Sequence, residues 1–322
     1  MKSLLTALVF LMGCTGLPVD TSRAAIINGL ADHADPSVVL LLISSNGVLT
    51  EECSAFVVAP RVVVTAAHCL SSSFIAPNLT FELFLGDDHT DPVQAKDKSL
   101  RAAVTEVHFD PAFTRATASS MPDVGVVITS EPLTIPPIGL NRQPLGAAAV
   151  GQPLRMIGYG QTVATDEASV EVRTQITTTV SAVEPIFVLD ANNSKTFCHG
   201  DSGGAELMVI AGEEVAVGVI SRRRLMATDP ACGGSGVATR VDVAAADLVD
   251  PYIATFAPPV APDAGSDAGP SPTAPHGGCS MSSPITHGHG AIGLVIVGAV
   301  LLLRRRWPAR ARARSSGADG FA

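Results

Sequence analysis

Gly200-Asp201-Ser202-Gly203-Gly204, with Cys198 just upstream, sets a serine among small residues, and Thr65-Ala66-Ala67-His68-Cys69 supplies a histidine beside another cysteine. A serine hydroxyl is a poor nucleophile near neutral pH and needs a base. Imidazole is the side chain that titrates in that range, so His68 could take the hydroxyl proton and later return it to a leaving amine. Small neighbours around Ser202 would let backbone N–H groups approach an oxyanion developing on the attacked carbonyl. The apolar run Val62 to Val64 could hold His68 rigidly. Together these residues point to acyl-transfer chemistry and the hydrolysis of peptide bonds.

The elements that must position them read as strands. From Ile26 onward short apolar runs alternate with Gly, Pro, Asp and Asn: Val38 to Ile43, Ala55 to Val58, Val62 to Val64, Phe81 to Leu85 and Val124 to Ile128. Runs of this length, bounded by turn residues, predict an all-β sandwich or barrel. Further on, Leu154-Arg155-Met156-Ile157 runs into Gly158-Tyr159-Gly160. No long 3.6-residue period competes before Val241, where near-helical spacing to Thr255 predicts a helix. Residues 258–278 then change to Pro, Ala, Gly, Asp and Ser, a composition that cannot bury a core and predicts an extended linker.

The two motifs resemble those of the chymotrypsin/trypsin-like serine proteases, and the likeness runs from Ile26 to Phe256. The resemblance implies two six-stranded antiparallel β-barrels with the active site between them and a short C-terminal helix. Barrel 1 would cover about 26–148, barrel 2 about 149–240 and the helix about 241–256, within a protease domain of 26–257. The segment Leu154 to Gly160 resembles a strand near the start of the family's second barrel, which implies a boundary near Ala148 to Gly151. It implies a triad of His68, Asp123 and Ser202, with Asp123 chosen because it precedes the apolar strand Val124 to Ile128. Asp110, in a His-Phe-Asp-Pro turn, and Asp87, Asp88 and Asp91, in a polar loop, read instead as surface turn residues. A calcium site on that loop is disfavoured, because the acidic residues are bunched differently from a ligand series. No metal or cofactor is expected.

Further roles follow from the same resemblance. Backbone N–H groups of Gly200 and Ser202 would form the oxyanion hole. Asp201 would pair with a new N-terminus at Ile26, released from Ile26-Ile27-Asn28-Gly29. Ala25 stands where a basic residue would allow tryptic activation, and Arg23 lies two residues too early, so cleavage after Ala25 is expected. Disulfides Cys53–Cys69 and Cys198–Cys232 are implied, and export into an oxidising compartment makes them reasonable.

The substrate pocket would use Thr196 as floor, Gly236 as wall and Ser221 at the start of the substrate-pairing segment. Thr196 stands where trypsin-like members carry an aspartate, so cleavage after Lys or Arg is disfavoured. In Arg222-Arg223-Arg224, Arg223 would narrow the pocket mouth, favouring small or apolar residues before the scissile bond. Two other readings of the arginines stay open: they attract an acidic side chain, or they point to solvent and offer substrate only their backbone.

Residues 1–25 read as a signal peptide and short pro-segment, with Lys2 ahead of the apolar run Leu4 to Met12. Leu11-Met12-Gly13-Cys14 is similar to a bacterial lipoprotein signal, the alternative being a cysteine discarded with an ordinary signal peptide. Residues 279–322, entered through Gly277-Gly278, combine Cys279-Ser280, the apolar run Ala291 to Leu303 and Arg304-Arg305-Arg306. That order resembles the C-terminal sorting signal on exported proteins of myxobacteria, which implies cleavage and attachment at Cys279, the arginines marking the cytoplasmic side. A plain single-pass anchor is the alternative. Six arginines between Arg304 and Arg314 leave the rest of a chain of net charge −9 more acidic still, and nothing in that balance favours nucleic acid. The expected partners are protein or peptide substrates, with the membrane met through the C-terminal segment and a monomeric catalytic domain exported to the cell surface. The competing reading is a catalytically silent protease homologue serving as a surface binding module.

Overall fold

The computed structural model describes residues 29–161, 172–191, 196–224, 232, 234–256 and 319–321. Cys14, Ile26, the linker and Cys279 lie outside them. The apolar runs form β1 (Leu30–Ala31), β2 (Val38–Ser45), β3 (Val48–Ala59), β4 (Val62–Thr65), β5 (Leu79–Phe84), β6 (Arg101–Phe109) and β7 (Gly125–Thr129). A second series comprises β8 (Pro153–Gly158), β9 (Thr174–Val183), β10 (Phe187–Asp190), β11 (Ala205–Ile210), β12 (Glu213–Arg224) and β13 (Ser235–Arg240), with β14 (Asp319–Phe321) at the end.

Both series close. Strands β2-β3-β4-β7-β6-β5 form one antiparallel barrel. In the second, β8 pairs with both β9 and β11 and completes the ring β8-β9-β10-β13-β12-β11. Local chemistry sets the tight corners. The β2–β3 turn is Asn46-Gly47, both at positive φ (51° and 80°), the left-handed pair whose twist suits a two-residue hairpin. A continuous apolar cluster runs from β2, β3, β4 and β7 to Ile157, Tyr159, Ala205, Leu207 and Val219 of the second barrel, so the barrels share one core. Each large side chain buried there contributes about 1.5–3 kcal/mol.

Among the described residues three α-helices accompany the strands: the single turn α1 (Ala67–Leu70), then α2 (Val241–Leu248) and α3 (Asp250–Phe256). The helix predicted over 241–256 is thus two pieces, because Pro251 has no N–H to continue the ladder and Val249 leaves helical geometry at φ −126°. Among the described residues no helix is long and apolar enough to cross a membrane. Strand β14 lies antiparallel on β12, with Asp319 opposite Arg224, Gly320 opposite Arg223 and Phe321 opposite Arg222.

Candidate active site

His68 sits in α1, immediately after β4. Strand β4 is held between β3 and β7, and the Cys53–Cys69 bridge ties α1 to β3. Asp123 stands two residues before β7, its own N–H donating to Thr239 Oγ1 at 3.0 Å. The second-barrel loop carrying Ser202 is fastened by Cys198–Cys232. Residues from three separate stretches therefore meet at the junction of the barrels. Ser202 Oγ lies 2.9 Å from His68 Nε2, and His68 Nδ1 lies 2.7 Å from Asp123 Oδ2. Asp123 Oδ1 also accepts the His68 backbone N–H at 2.9 Å, and Ser221 Oγ donates to Oδ2 at 2.6 Å. Burial alone would raise the Asp123 pKa, but the His68 charge and hydrogen bonds, with the Ser221 hydroxyl, hold it below the usual carboxylate value. An ionised Asp123 accepting from Nδ1 leaves Nε2 as the acceptor for the Ser202 hydroxyl.

The loop is fixed by a residue the sequence did not single out. Ser54 donates its N–H to Ser202 O and its hydroxyl to Gly200 O, both at 2.8 Å, while its Oγ accepts the Tyr159 N–H at 2.8 Å. One buried hydroxyl thus joins β3, the end of β8 and the nucleophile turn. Glycine is required at two turn positions, Gly200 (φ 93°) and Gly203 (φ 85°), and a β-carbon on Gly203 would also strike Thr65 Oγ1 and Ser54 O. Asp201 is fully buried and accepts N–H groups from Cys198 and Gly160, each at 2.8 Å. Burial pushes its pKa up to about 7 despite those donors and the charge of Arg223.

A family model described as trypsin matches residues 28–248. The chain belongs to the trypsin family. No curated protein matches it. Membership makes the chain a serine endopeptidase of the chymotrypsin-like type, and both disulfides implied by the family are present.

Against the family's arrangement, the pocket residues fall in places that sharpen the sequence reading. Ser221 lies buried near the end of β12, and its side chain turns to Asp123 and so belongs with the triad. The reading in which the arginines point to solvent is corrected for two of the three. Arg222 is buried, stacks over the Phe187 ring at 4.2 Å and donates to Ala118 O at 3.2 Å. Arg223 is buried as well, opposite Gly236 in the β12–β13 register, with Nη2 donating to His199 Nε2 at 3.3 Å. Arg224 reaches outward to Glu184. Thr196 is buried with its hydroxyl 3.5 Å from Asp190 Oδ2, a carboxylate that sequence reasoning missed. Asp190 Oδ1 accepts the Gly236 N–H at 2.5 Å.

The acidic loop behaves as a set of turns. Asp88 Oδ1 accepts from Thr90 and from the Asp91 N–H, Asp91 caps Val93, and Asp87 holds Gln94. A cavity of about 400 Å³ borders the Gly200 side of the site, lined in part by Leu49, Glu52, Gln161 and His199.

Proposed function

We propose that this chain is an exported, cell-surface-anchored serine endopeptidase that works through an acyl-enzyme and prefers a small or apolar residue before the scissile bond. The carrying observation is the continuous relay from Ser202 Oγ through His68 to Asp123, with contacts of 2.9 and 2.7 Å. Ser202 Oγ attacks the substrate carbonyl carbon while His68 Nε2 accepts its proton, and Asp123 stabilises the imidazolium without taking that proton. The oxyanion is met by the N–H groups of Gly200 and Ser202. His68 then protonates the leaving amine, the C–N bond breaks, and the acyl group remains on Ser202. Water attacks the ester by the same steps in reverse order, with His68 again taking a proton. A silent binding module would have no use for a carboxylate held ionised behind the imidazole.

Activation is assigned to Ile26 and Asp201. A buried carboxyl pushed up to about 7 is a receptive partner for an ammonium group. Cleavage after Ala25 would supply it at the family's register. The C-terminal reading rests on sequence: Cys279 before an apolar run and an arginine cluster. Cleavage at Cys279 would remove β14 together with the tail. Arg223 across the pocket mouth and Thr196 at its floor support the preference for small residues.

Digestion of a peptide library by the mature protein, with mass spectrometry of both its termini, tests this reading. Cleavage after small residues by a protein beginning at Ile26 and ending at Cys279 is expected. Dominant cleavage after Lys or Arg, or active enzyme beginning at Ala24, would overturn the corresponding part.

A further inference from the structure

Glycine at a pocket wall usually leaves room for substrate, but the room beside Gly236 is taken. A β-carbon added to Gly236 would run into Cε1 of Phe197 and the carboxylate of Asp190. Phe197 is fully buried among Met156, Ile176 and Ile220, so its ring is fixed by packing. Three strands bring the parts together: β10 ends at Asp190, β13 carries Gly236, and β12 sets Arg223 opposite Gly236. A second carboxyl lies in the same interior. Glu206 of β11 is fully buried, neither of its carboxyl oxygens has a hydrogen-bond partner among the described residues, and Asp190 acts on it electrostatically. Acidic groups in such a place are what a basic substrate side chain would meet if it could reach them.

We infer that Phe197 is a plug that sets the depth of the primary pocket, and that Asp190 behind it is a latent determinant of basic specificity. The inference rests on the endopeptidase reading and deepens it. With the ring in place, a side chain entering past Arg223 is stopped at Phe197. With the ring removed, the same path ends at the Asp190 carboxylate, beside the Thr196 hydroxyl.

The test compares kcat/KM on peptides that differ only in the residue before the scissile bond (Gly, Ala, Val, Leu, Phe, Lys). The unmodified enzyme should favour Ala and fall steeply beyond Val. Phe197→Ser should raise the Lys-to-Ala ratio by about 100-fold, and Phe197→Ser combined with Asp190→Asn should lose the gain for Lys while keeping any gain for Leu. Burial holds the Asp190 pKa at about 7, so the Lys gain should strengthen from pH 6 to pH 8. Phe197→Leu, a milder opening, serves if the serine variant does not fold, and should admit Leu and Lys to a lesser degree. Labelling of Ser202 by an organophosphorus probe separates the two levels. Variants that label yet keep the original profile overturn the plug, as would efficient cleavage after Phe or Lys by the unmodified enzyme. An unmodified mature protein that never labels overturns the endopeptidase reading and the plug with it.

Discussion

Asp123, at the junction of the barrels, and Asp190, under the pocket of the second barrel, are equally hidden at 0 % exposure, yet burial leads to opposite outcomes. Asp123 receives the His68 ring N–H, the His68 backbone N–H and the Ser221 hydroxyl, and its pKa is held below the usual value. Asp190 has one close donor, Gly236 N–H, and a distant Thr196 hydroxyl, so burial wins and pushes it to about 7. The His68 charge beside Asp123, added to these donors, rather than depth, keeps that carboxyl charged, and among the described residues no such cation acts on Asp190. The junction of the barrels is thus built to keep a negative charge, and the interior of the second barrel raises the pKa of its buried carboxyl.

The largest way to break the comparison is Asp123→Asn. The side chain keeps its shape but presents the wrong tautomeric partner, so kcat should fall by about 10⁴-fold, the size characteristic of this change in the family rather than one calculated from these distances. Circular dichroism should show an intact fold; near-normal turnover would remove Asp123 from the relay. Ser221→Ala takes away only one of the three donors, and should lower kcat by about 10-fold. An unchanged kcat would mean that the 2.6 Å contact does not support the charge.

A smaller effect on activity but a clear one on stability is expected from Asp190. Its folded pKa of about 7 lies above its reference value of 3.8, so the folded protein binds more protons than the unfolded chain between those values. Stability from this group therefore falls as pH rises from about 4 to 7, and Asp190→Asn should raise Tm by several degrees at pH 8 while changing little at pH 4. Asp123 has the opposite sign: its depressed pKa stabilises the fold above the carboxylate range and loses that contribution as pH falls through it. Equal Tm gains for Asp190→Asn at both pH values would contradict the contrast. Glu206→Gln should act in the same direction as Asp190→Asn, because burial and the nearby Asp190 raise Glu206 well above its usual value.

What was legible in the sequence was local. Ser202 and His68 stand in compact motifs, Asp123 precedes an apolar run that overlaps β7, and the strand-and-turn rhythm pointed to a β sandwich or barrel, which the family resemblance narrowed to two barrels. What escaped depends on contacts between distant stretches. Ser54 meets Gly200 across 146 residues and Thr239 meets Asp123 across 116, and neither hydroxyl looks unusual within its own strand. Phe197 reads as one more apolar residue beside Cys198 until β13 sets Gly236 against it. One reading of the arginine run left Arg222 and Arg223 in solvent, but a ring beneath one and an imidazole beside the other hold them inside. Pro251 signals the break at Val249, but the apolar spacing continues through it and masks the signal.

The central claim is that Ser202 is a nucleophile activated by His68 and Asp123. Reaction of the mature protein with an organophosphorus probe, followed by peptide mass spectrometry, tests it most directly. One adduct per chain on Ser202, abolished in Ser202→Ala and greatly slowed in Asp123→Asn, is the expected result. Correctly processed protein that begins at Ile26 and carries no adduct, or carries it on another residue, would contradict the account.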